Sequence, residues 1–215
     1  HFSTDGKSAV LFYKDTVDVK DSRRRQRLDF ILKQYNPTLG DGGDYWTKHF
    51  CWPTAIVTKP TLGIVTPKYP AHFFFPKSAG DIVGGREKQG KWFTGKKARR
   101  FVPDEDRGDW LGYLKLGIVM ARAVRRMHSA GLAHSDLSNK NVLVDPSTGT
   151  AVIIDIDTLV VPDFFAPKVI GTKGYVAPEV VSGKALPSRA TDLHALAVLL
   201  YEYLLLRHPL EGPKI

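Results

Sequence analysis

The stretch His134-Ser135-Asp136-Leu137-Ser138-Asn139-Lys140-Asn141-Val142-Leu143 gathers histidine, aspartate and asparagine into one short polar loop. Upstream, residues 110–129 carry Leu114, Ile118, Ala121 and Val124 along a broad apolar face, which predicts a helix. Gly131 stands where such a helix is expected to be capped. Downstream, residues 142–144 and 151–156 read as two β-like runs, separated by the Asp145-Pro146 turn and Gly149. By itself, a His-x-Asp loop between a helix and a hairpin has two readings. It is a turn whose side chains hydrogen-bond back to the chain, or it is a site.

The loop resembles the protein-kinase catalytic loop, whose pattern is H-R-D-L-x-x-x-N. Phosphoryl transfer needs an oriented hydroxyl and neutralised phosphates more than covalent help. The resemblance implies that Asp136 accepts the substrate hydroxyl's proton and that Asn141 binds Mg²⁺. Val152-Ile153-Ile154-Asp155-Ile156-Asp157 resembles the kinase strand and its Asp-Phe-Gly motif, with Asp155 as metal ligand. Carboxylate and amide oxygens are the donors that Mg²⁺ takes beside phosphate oxygens. A slipped register, with Asp157 on the metal, stays open. Gly171-Thr172-Lys173-Gly174-Tyr175-Val176-Ala177-Pro178-Glu179 resembles the end of a kinase activation segment. The segment from Arg189 to Pro209 resembles the central buried helix of the large lobe, whose first-turn aspartate, here Asp192, holds the catalytic loop.

These ordered resemblances, between residues 127 and 209, imply an α+β, bilobal protein-kinase-like fold. It has a small antiparallel-sheet lobe and a larger, mostly helical lobe, and the chain is expected to be truncated at both ends. In the small lobe, residues 8–13 read as a strand after the Asp5-Gly6 turn. Leu28, Ile31, Leu32 and Tyr35 predict a helix that Asn36-Pro37 stops. Residues 39–45 read as a loop, and residues 55–58 and 62–66 as strands joined at Lys59-Pro60. Pro67 and Pro70 mark a stiff linker, giving a partial small lobe over residues 1–68 and a partial large lobe over residues 69–215. Residues 71–108 form an insert without clear periodicity. Trp52-Pro53-Thr54-Ala55-Ile56-Val57 and Gly63-Ile64-Val65-Thr66-Pro67 resemble bacterial kinases encoded beside tellurite-resistance and von Willebrand-type proteins, and their helix-hairpin-helix relatives. That resemblance implies von Willebrand-type and phosphatase partner proteins. It also implies a hinge at Pro67, Lys68 and Tyr69 whose backbone meets the adenine of ATP.

The kinase pattern is departed from at several positions. Ser135 replaces the arginine that receives a phosphate from the activation loop, leaving Lys140 or Lys168 as substitute receivers. Ser138 stands where serine/threonine kinases commonly place a lysine, and Lys140 stands where tyrosine kinases place a phosphate-steering arginine. In the strand at residues 9–14, Leu11 occupies the place of the phosphate-binding lysine. Alternation puts Ala9 and Leu11 on one face, with Val10, Phe12 and Lys14 on the other. No glutamate precedes Glu87, and Asp29 is the sole acid on the predicted helix at residues 23–35. A glycine-rich phosphate loop is not found.

Composition narrows the alternatives. Over 215 residues, 43% hydrophobic and 25% charged residues are ordinary for a folded globular protein. The longest apolar run, residues 193–206, is too short to span a bilayer. The single cysteine, Cys51, suits a reducing compartment, so a cytoplasmic protein is expected. The net charge of +9 is concentrated in Arg23, Arg24, Arg25 and Arg27, and in Lys96, Lys97, Arg99 and Arg100. Neither cluster has the interleaved aromatics or zinc ligands of a nucleic-acid module. A solvated basic face is the preferred reading, ahead of nucleic acid; attraction of nucleotide phosphates or an acidic protein is the third. Two functions then fit: an ATP- and Mg²⁺-dependent kinase for serine or threonine hydroxyls of a protein substrate, the chain itself included, and a pseudokinase that binds nucleotide or partners. An aminoglycoside-type phosphotransferase shares the loop pattern but lacks a segment like residues 171–179.

Overall fold

The structure, a computed structural model, describes residues 2–14, 22–164, 167, 171–210 and 212; Lys168 lies outside them. Strands β1 (Ser8–Phe12), β2 (Ala55–Val57) and β3 (Gly63–Pro67) form an antiparallel sheet in the order β1-β3-β2. Leu11 pairs with Ile64, Ala9 with Thr66 and Ile56 with Ile64. Cross-strand partners share a face, so Ala9, Leu11, Ile56, Ile64 and Thr66 point the same way. Helix α1 (Ser22–Leu32) brings its buried Leu28 against Leu62 and Ile64. Ahead of β1, Gly6 takes φ +66° in the Asp5-Gly6 turn, and Phe2 bridges back to Ala9.

The segment expected as loop at residues 39–45 instead enters helix α2 (Gly43–His49). Its glycines argue against a helix on propensity alone. Tertiary packing overrides them, because Trp46 is buried against Phe50 and Trp52. Asp44 in the first turn and Lys48 and His49 in the last also match the helix dipole.

The insert at residues 71–108 contains α3 (Gly80–Val83), α4 (Lys91–Thr94) and several 3₁₀ turns. It runs beside strand β4 (Val142–Asp145), which pairs with β5 (Thr150–Ile153) in a two-stranded hairpin. Gly90 N–H donates to the Val142 carbonyl, Val144 N–H to the Lys88 carbonyl and Lys91 N–H to the Asn139 carbonyl, each at 2.9 Å. Gly90 passes so close to helix α7 (Arg189–Leu205) that a Cβ there would collide with the Tyr203 hydroxyl. The insert is thus bonded directly to the backbone that carries the polar loop.

Helices α5 (Trp110–Ser129) and α7 (Arg189–Leu205) pack along each other, and α6 (Pro178–Val181) lies between β5 and α7 in the chain. Asp109 caps α5 by accepting the Gly112 N–H at 2.8 Å. Gly131, at φ +82°, follows its C-cap in the left-handed conformation that glycine tolerates. Leu116, Met120, Ala123, Val124 and Met127 recur at helical spacing and are buried. Helix α7 begins with a reciprocal cap between Ser188 and Thr191. One apolar core joins Ile31, Trp46 and Trp52 to Leu116, Met120 and Leu199. No helix among the described residues is long and apolar enough to cross a membrane.

A buried ion pair anchors the insert: Lys88 Nζ lies 2.7 Å from Asp106 Oδ1, with side chains only 6% and 12% exposed. Removing one member leaves an uncompensated charge. Asp106→Ala is therefore expected to lower unfolding free energy by about 3–5 kcal/mol, and the apolar double replacement Lys88→Met/Asp106→Leu to recover most of it. Urea denaturation of the three proteins checks this.

Candidate active site

The polar loop is held by one carboxylate. Asp192, in the first turn of α7 and 2% exposed, accepts the backbone N–H of His134 at 2.6 Å and of Ser135 at 3.1 Å. His128 Nε2, from the last turn of α5, lies 3.1 Å from the same carboxylate. The buried His134 ring bonds the Ile154 carbonyl at 2.8 Å, which fixes the loop against the end of the hairpin. Ser135 sits at φ +69° and donates its hydroxyl to the Thr158 carbonyl at 2.8 Å. It links the loop to the following turn by a neutral bond, where an arginine would have offered charge.

Asp136 is oriented on both oxygens. Its Oδ1 accepts the Thr172 N–H at 2.7 Å and the Thr172 hydroxyl at 2.8 Å, while Oδ2 accepts Asn141 Nδ2 at 3.1 Å. Asn141 Nδ2 also donates to the Asp136 carbonyl at 2.8 Å. Both amide hydrogens of Asn141 are committed, which leaves its Oδ1 as the available acceptor. Thr172 belongs to the segment at residues 171–179, so the structure joins that segment to the loop through Asp136. Tyr175 of the same segment donates its hydroxyl to the buried Glu202 carboxylate of α7.

Asp155 follows β5 and takes φ +59°, a conformation uncommon outside glycine, though aspartate adopts it more readily than most residues, and one that concentrates at functional sites. The surrounding protein raises its pKa above the ordinary carboxylate range, chiefly by desolvation and then through the charges of Asp157 and Asp136; His134 opposes the rise. The side chain nonetheless keeps an open side to solvent. Among the described residues, no three acidic, histidine or cysteine side chains converge enough to hold a metal alone. The donor set still fits Mg²⁺: a carboxylate on Asp155, an amide oxygen on Asn141 and room for ligand oxygens, as a hard octahedral cation requires.

Asp157 is engaged elsewhere. Its Oδ2 accepts the Tyr13 hydroxyl at 2.6 Å, just past β1. Tyr13 continues the alternation of Ala9 and Leu11, so this face of the sheet does point at the Asp155 motif. The residue that reaches it is a tyrosine; Lys14 is exposed. Arg24 of α1 lies 4.6 Å over the Tyr13 ring. Burial raises the Tyr13 hydroxyl's pKa, Asp157 raises it further and Arg24 counteracts. An arginine–tyrosine–aspartate chain thus connects α1 to the motif, in place of a lysine–acid pair. Sequence reasoning missed Tyr13, Arg24 and Thr172; for Tyr13 the one available signal was its parity with Leu11. The arginine cluster is also more than a solvated face, since Arg27 is buried and lies over the Phe164 ring at 5.5 Å.

The remaining candidates are more dispersed. Lys140 is exposed and takes no part in the Asp136 hydrogen bonds. Pro67 ends β3, and Lys68 N–H donates to the Lys7 carbonyl at 2.9 Å, which spends that amide within the sheet. Tyr69 packs on a small apolar cluster of Cys51, Phe73, Leu143, Val152 and Ile154. Cys51 donates its thiol to the Pro67 carbonyl at 3.6 Å, and burial pushes the thiol's pKa up to about 12. Since the thiolate is the reactive form, Cys51 is expected to resist an aromatic disulfide reagent at pH 8 in the native protein. Full release of one thiol equivalent should follow denaturation, read by absorbance; rapid native labelling would show that this cluster opens.

Comparison with known proteins agrees with this geometry. Residues 115–214 match the protein kinase domain model. The DNA damage-responsive serine/threonine-protein kinase RqkA of Deinococcus radiodurans is 33% identical over 114 residues, covering 50% of this chain and 17% of that protein. Serine/threonine-protein kinase PkaB of Streptomyces coelicolor is 37% identical over 97 residues, covering 40% of this chain and 23% of the relative. Serine/threonine-protein kinase ppk21 of Schizosaccharomyces pombe is 33% identical over 99 residues, covering 42% of this chain and 18% of its own. The matches thus span less than a quarter of each of these relatives. The antiparallel sheets and helices form a kinase-like α+β fold, with a protein kinase domain match over residues 115–214 and serine/threonine-kinase homologues that include bacterial ones.

Proposed function

We propose that this chain is the catalytic core of an ATP- and Mg²⁺-dependent protein kinase that phosphorylates serine or threonine hydroxyls. The observation that carries the reading is the Asp136 carboxylate, oriented by Asn141 and Thr172 on a loop that Asp192 holds. Asp136 Oδ2 makes a single hydrogen bond of 3.1 Å. That oxygen therefore has capacity to receive an acceptor hydroxyl and take its proton as general base. Asn141 Oδ1 and Asp155 are the residues that would hold Mg²⁺. When bound, that ion neutralises phosphate charge during transfer. Lys140 supplies a positive charge beside the loop for the transferred phosphate. Residues 67–69 form the adenine contact, with the Tyr69 N–H, which bonds no backbone carbonyl among the described residues, better placed for it than the Lys68 N–H that Lys7 occupies. In this reading residues 1–68 act as the smaller lobe and residues 69–215 as the larger.

The subgroup of bacterial kinases encoded beside tellurite-resistance and von Willebrand-type proteins remains our proposed placement, with those proteins and a phosphatase as partners. The placement rests on the resemblance of the Trp52-Pro53 and Gly63–Pro67 segments; in the fold the Trp52 indole N–H donates to the Ile31 carbonyl at 2.9 Å and ties the Trp-Pro segment to α1. A pseudokinase is the second reading. Leu11 favours it, because the strand offers no lysine to the nucleotide phosphates.

Asp136→Asn discriminates the two. For a kinase, transfer from labelled ATP should fall by about 10²–10⁴-fold, the usual share of a general base, with ATP affinity unchanged by calorimetry. Wild-type turnover in this variant would remove Asp136 from the mechanism; a wild type inactive on every protein substrate would favour the pseudokinase. Mg²⁺–ATP should also raise the melting temperature of the native protein by mass action. That rise should vanish in Asp155→Ala and persist in Asp157→Ala, whose carboxylate Tyr13 already occupies. The opposite pattern would move the ligand to Asp157.

A further inference from the structure

Two cavities lie side by side next to the polar loop. The first, about 400 Å³, is lined by Thr172 and Tyr175 together with Lys91, Lys96, Lys140, Lys173, Arg207 and His208. The second, about 700 Å³, shares Thr94, Lys96, Leu206 and Arg207 with the first and adds Arg99, Arg100 and Arg107. They therefore form one trough. It starts at Thr172, whose N–H and hydroxyl both rest on Asp136, and runs outward between the insert and the end of α7.

The charge in this trough is almost wholly of one sign. Among its lining residues the single acid is Glu202, which is buried and already accepts the Tyr175 hydroxyl. Arg107 is paired with Asp104. None of the other trough lysines and arginines is in an ion pair among the described residues. Concave walls focus the field of such a cluster and raise the local concentration of an anionic partner. An isolated basic run on a convex face would be fully solvated; here cations from four separate parts of the chain converge on one concavity beside the candidate base.

We propose that the trough binds an acidic segment of the protein substrate, so that the serine or threonine presented to Asp136 is flanked by aspartates and glutamates. The proposal takes Asp136 as base from the reading above and adds the substrate class. Geometry favours a protein over a nucleic acid. A single-stranded nucleic acid is held by bases stacked on open aromatic rings, whereas of the two rings lining the trough Tyr175 is buried and bonded to Glu202, and the His208 ring packs edge to face with the Tyr175 ring at 5.4 Å. The insert's contribution also acquires a purpose: Lys91, Lys96, Arg99, Arg100 and Arg107 all belong to residues 71–108.

The test uses two fluorescent peptides with the same central serine, one flanked by glutamates and one by lysines, and the 215-residue chain. Anisotropy without nucleotide reads binding, and labelled ATP with Mg²⁺ reads transfer. The acidic peptide should bind about tenfold or more tightly than the basic one, as a focused positive field predicts, and the difference should shrink as salt screens it. Lys96→Glu/Arg207→Glu, checked for folding by its thermal melt, should abolish the preference. Lys77→Glu/Lys97→Glu, whose side chains do not line the trough, should retain it and serves as a matched change of charge. Equal or tighter binding of the basic peptide overturns the proposal. So does tighter binding of a single-stranded oligonucleotide of the same charge, or an acidic preference that survives the double reversal. Failure of the kinase reading looks different: the acidic peptide binds selectively, yet no peptide is phosphorylated. Transfer that favours the basic peptide would instead keep the kinase reading and sink the trough.

Discussion

The buried carboxylate of Asp192 is the constraint on which the rest of the site depends. Charge inside a protein is tolerated only when hydrogen bonds replace water. Asp192 obtains them from the amides of His134 and Ser135 and from the His128 ring. These bonds force the chain leaving α5 to turn back across the start of α7, with Ser135 in the left-handed region. Asp136 is then delivered to the open side, where Asn141 and Thr172 orient it. Without that buried acceptor the loop amides would have no reason to converge.

A second set of bonds decides how the sheet meets this loop. The kinase pattern that the sequence resembles pairs a strand lysine with a helix acid. Here the chain runs from Arg24 over the Tyr13 ring to the Asp157 carboxylate. A cation–π contact and one charge-assisted hydrogen bond can couple two elements mechanically. They do not place a cation on the open side of Asp155. The arrangement preserves the alignment of α1 with the motif, while any phosphate contact has to come from elsewhere. That separation of structural coupling from phosphate binding is why both the kinase and the pseudokinase readings arise from one molecule.

Legibility in the sequence followed the range of the interactions. Helices α5 and α7 were readable because their buried faces repeat at helical spacing and their caps lie within a few residues. Strands β1, β3 and the β4–β5 hairpin were readable as short apolar runs bounded by turn residues. Helix α2 was not readable: its glycines speak against it, and what stabilises it most is the burial of Trp46 against Phe50 and Trp52. The insert has no period, because what orders it is remote. Its backbone bonds to Val142, Val144 and Asn139, and its Lys88 is buried against Asp106.

From the sequence alone came the order and spacing of Asp136, Asn141, Asp155 and Asp192, and with them the fold class. Those residues sit in short motifs whose residue types and spacing can be read within a few positions, although the bonds that hold Asp136 and Asp192 reach 36 and 58 residues along the chain. Only the tertiary structure decided that Tyr13 rather than a lysine faces the segment at Asp155 and Asp157, that Thr172 rests on Asp136, and that Lys140 belongs to a basic trough. The reason is that electrostatic fields and hydrogen-bond partners add through space. Residues 91–107, 140, 173 and 207 are far apart along the chain, and the one-dimensional pattern carries no record of their convergence.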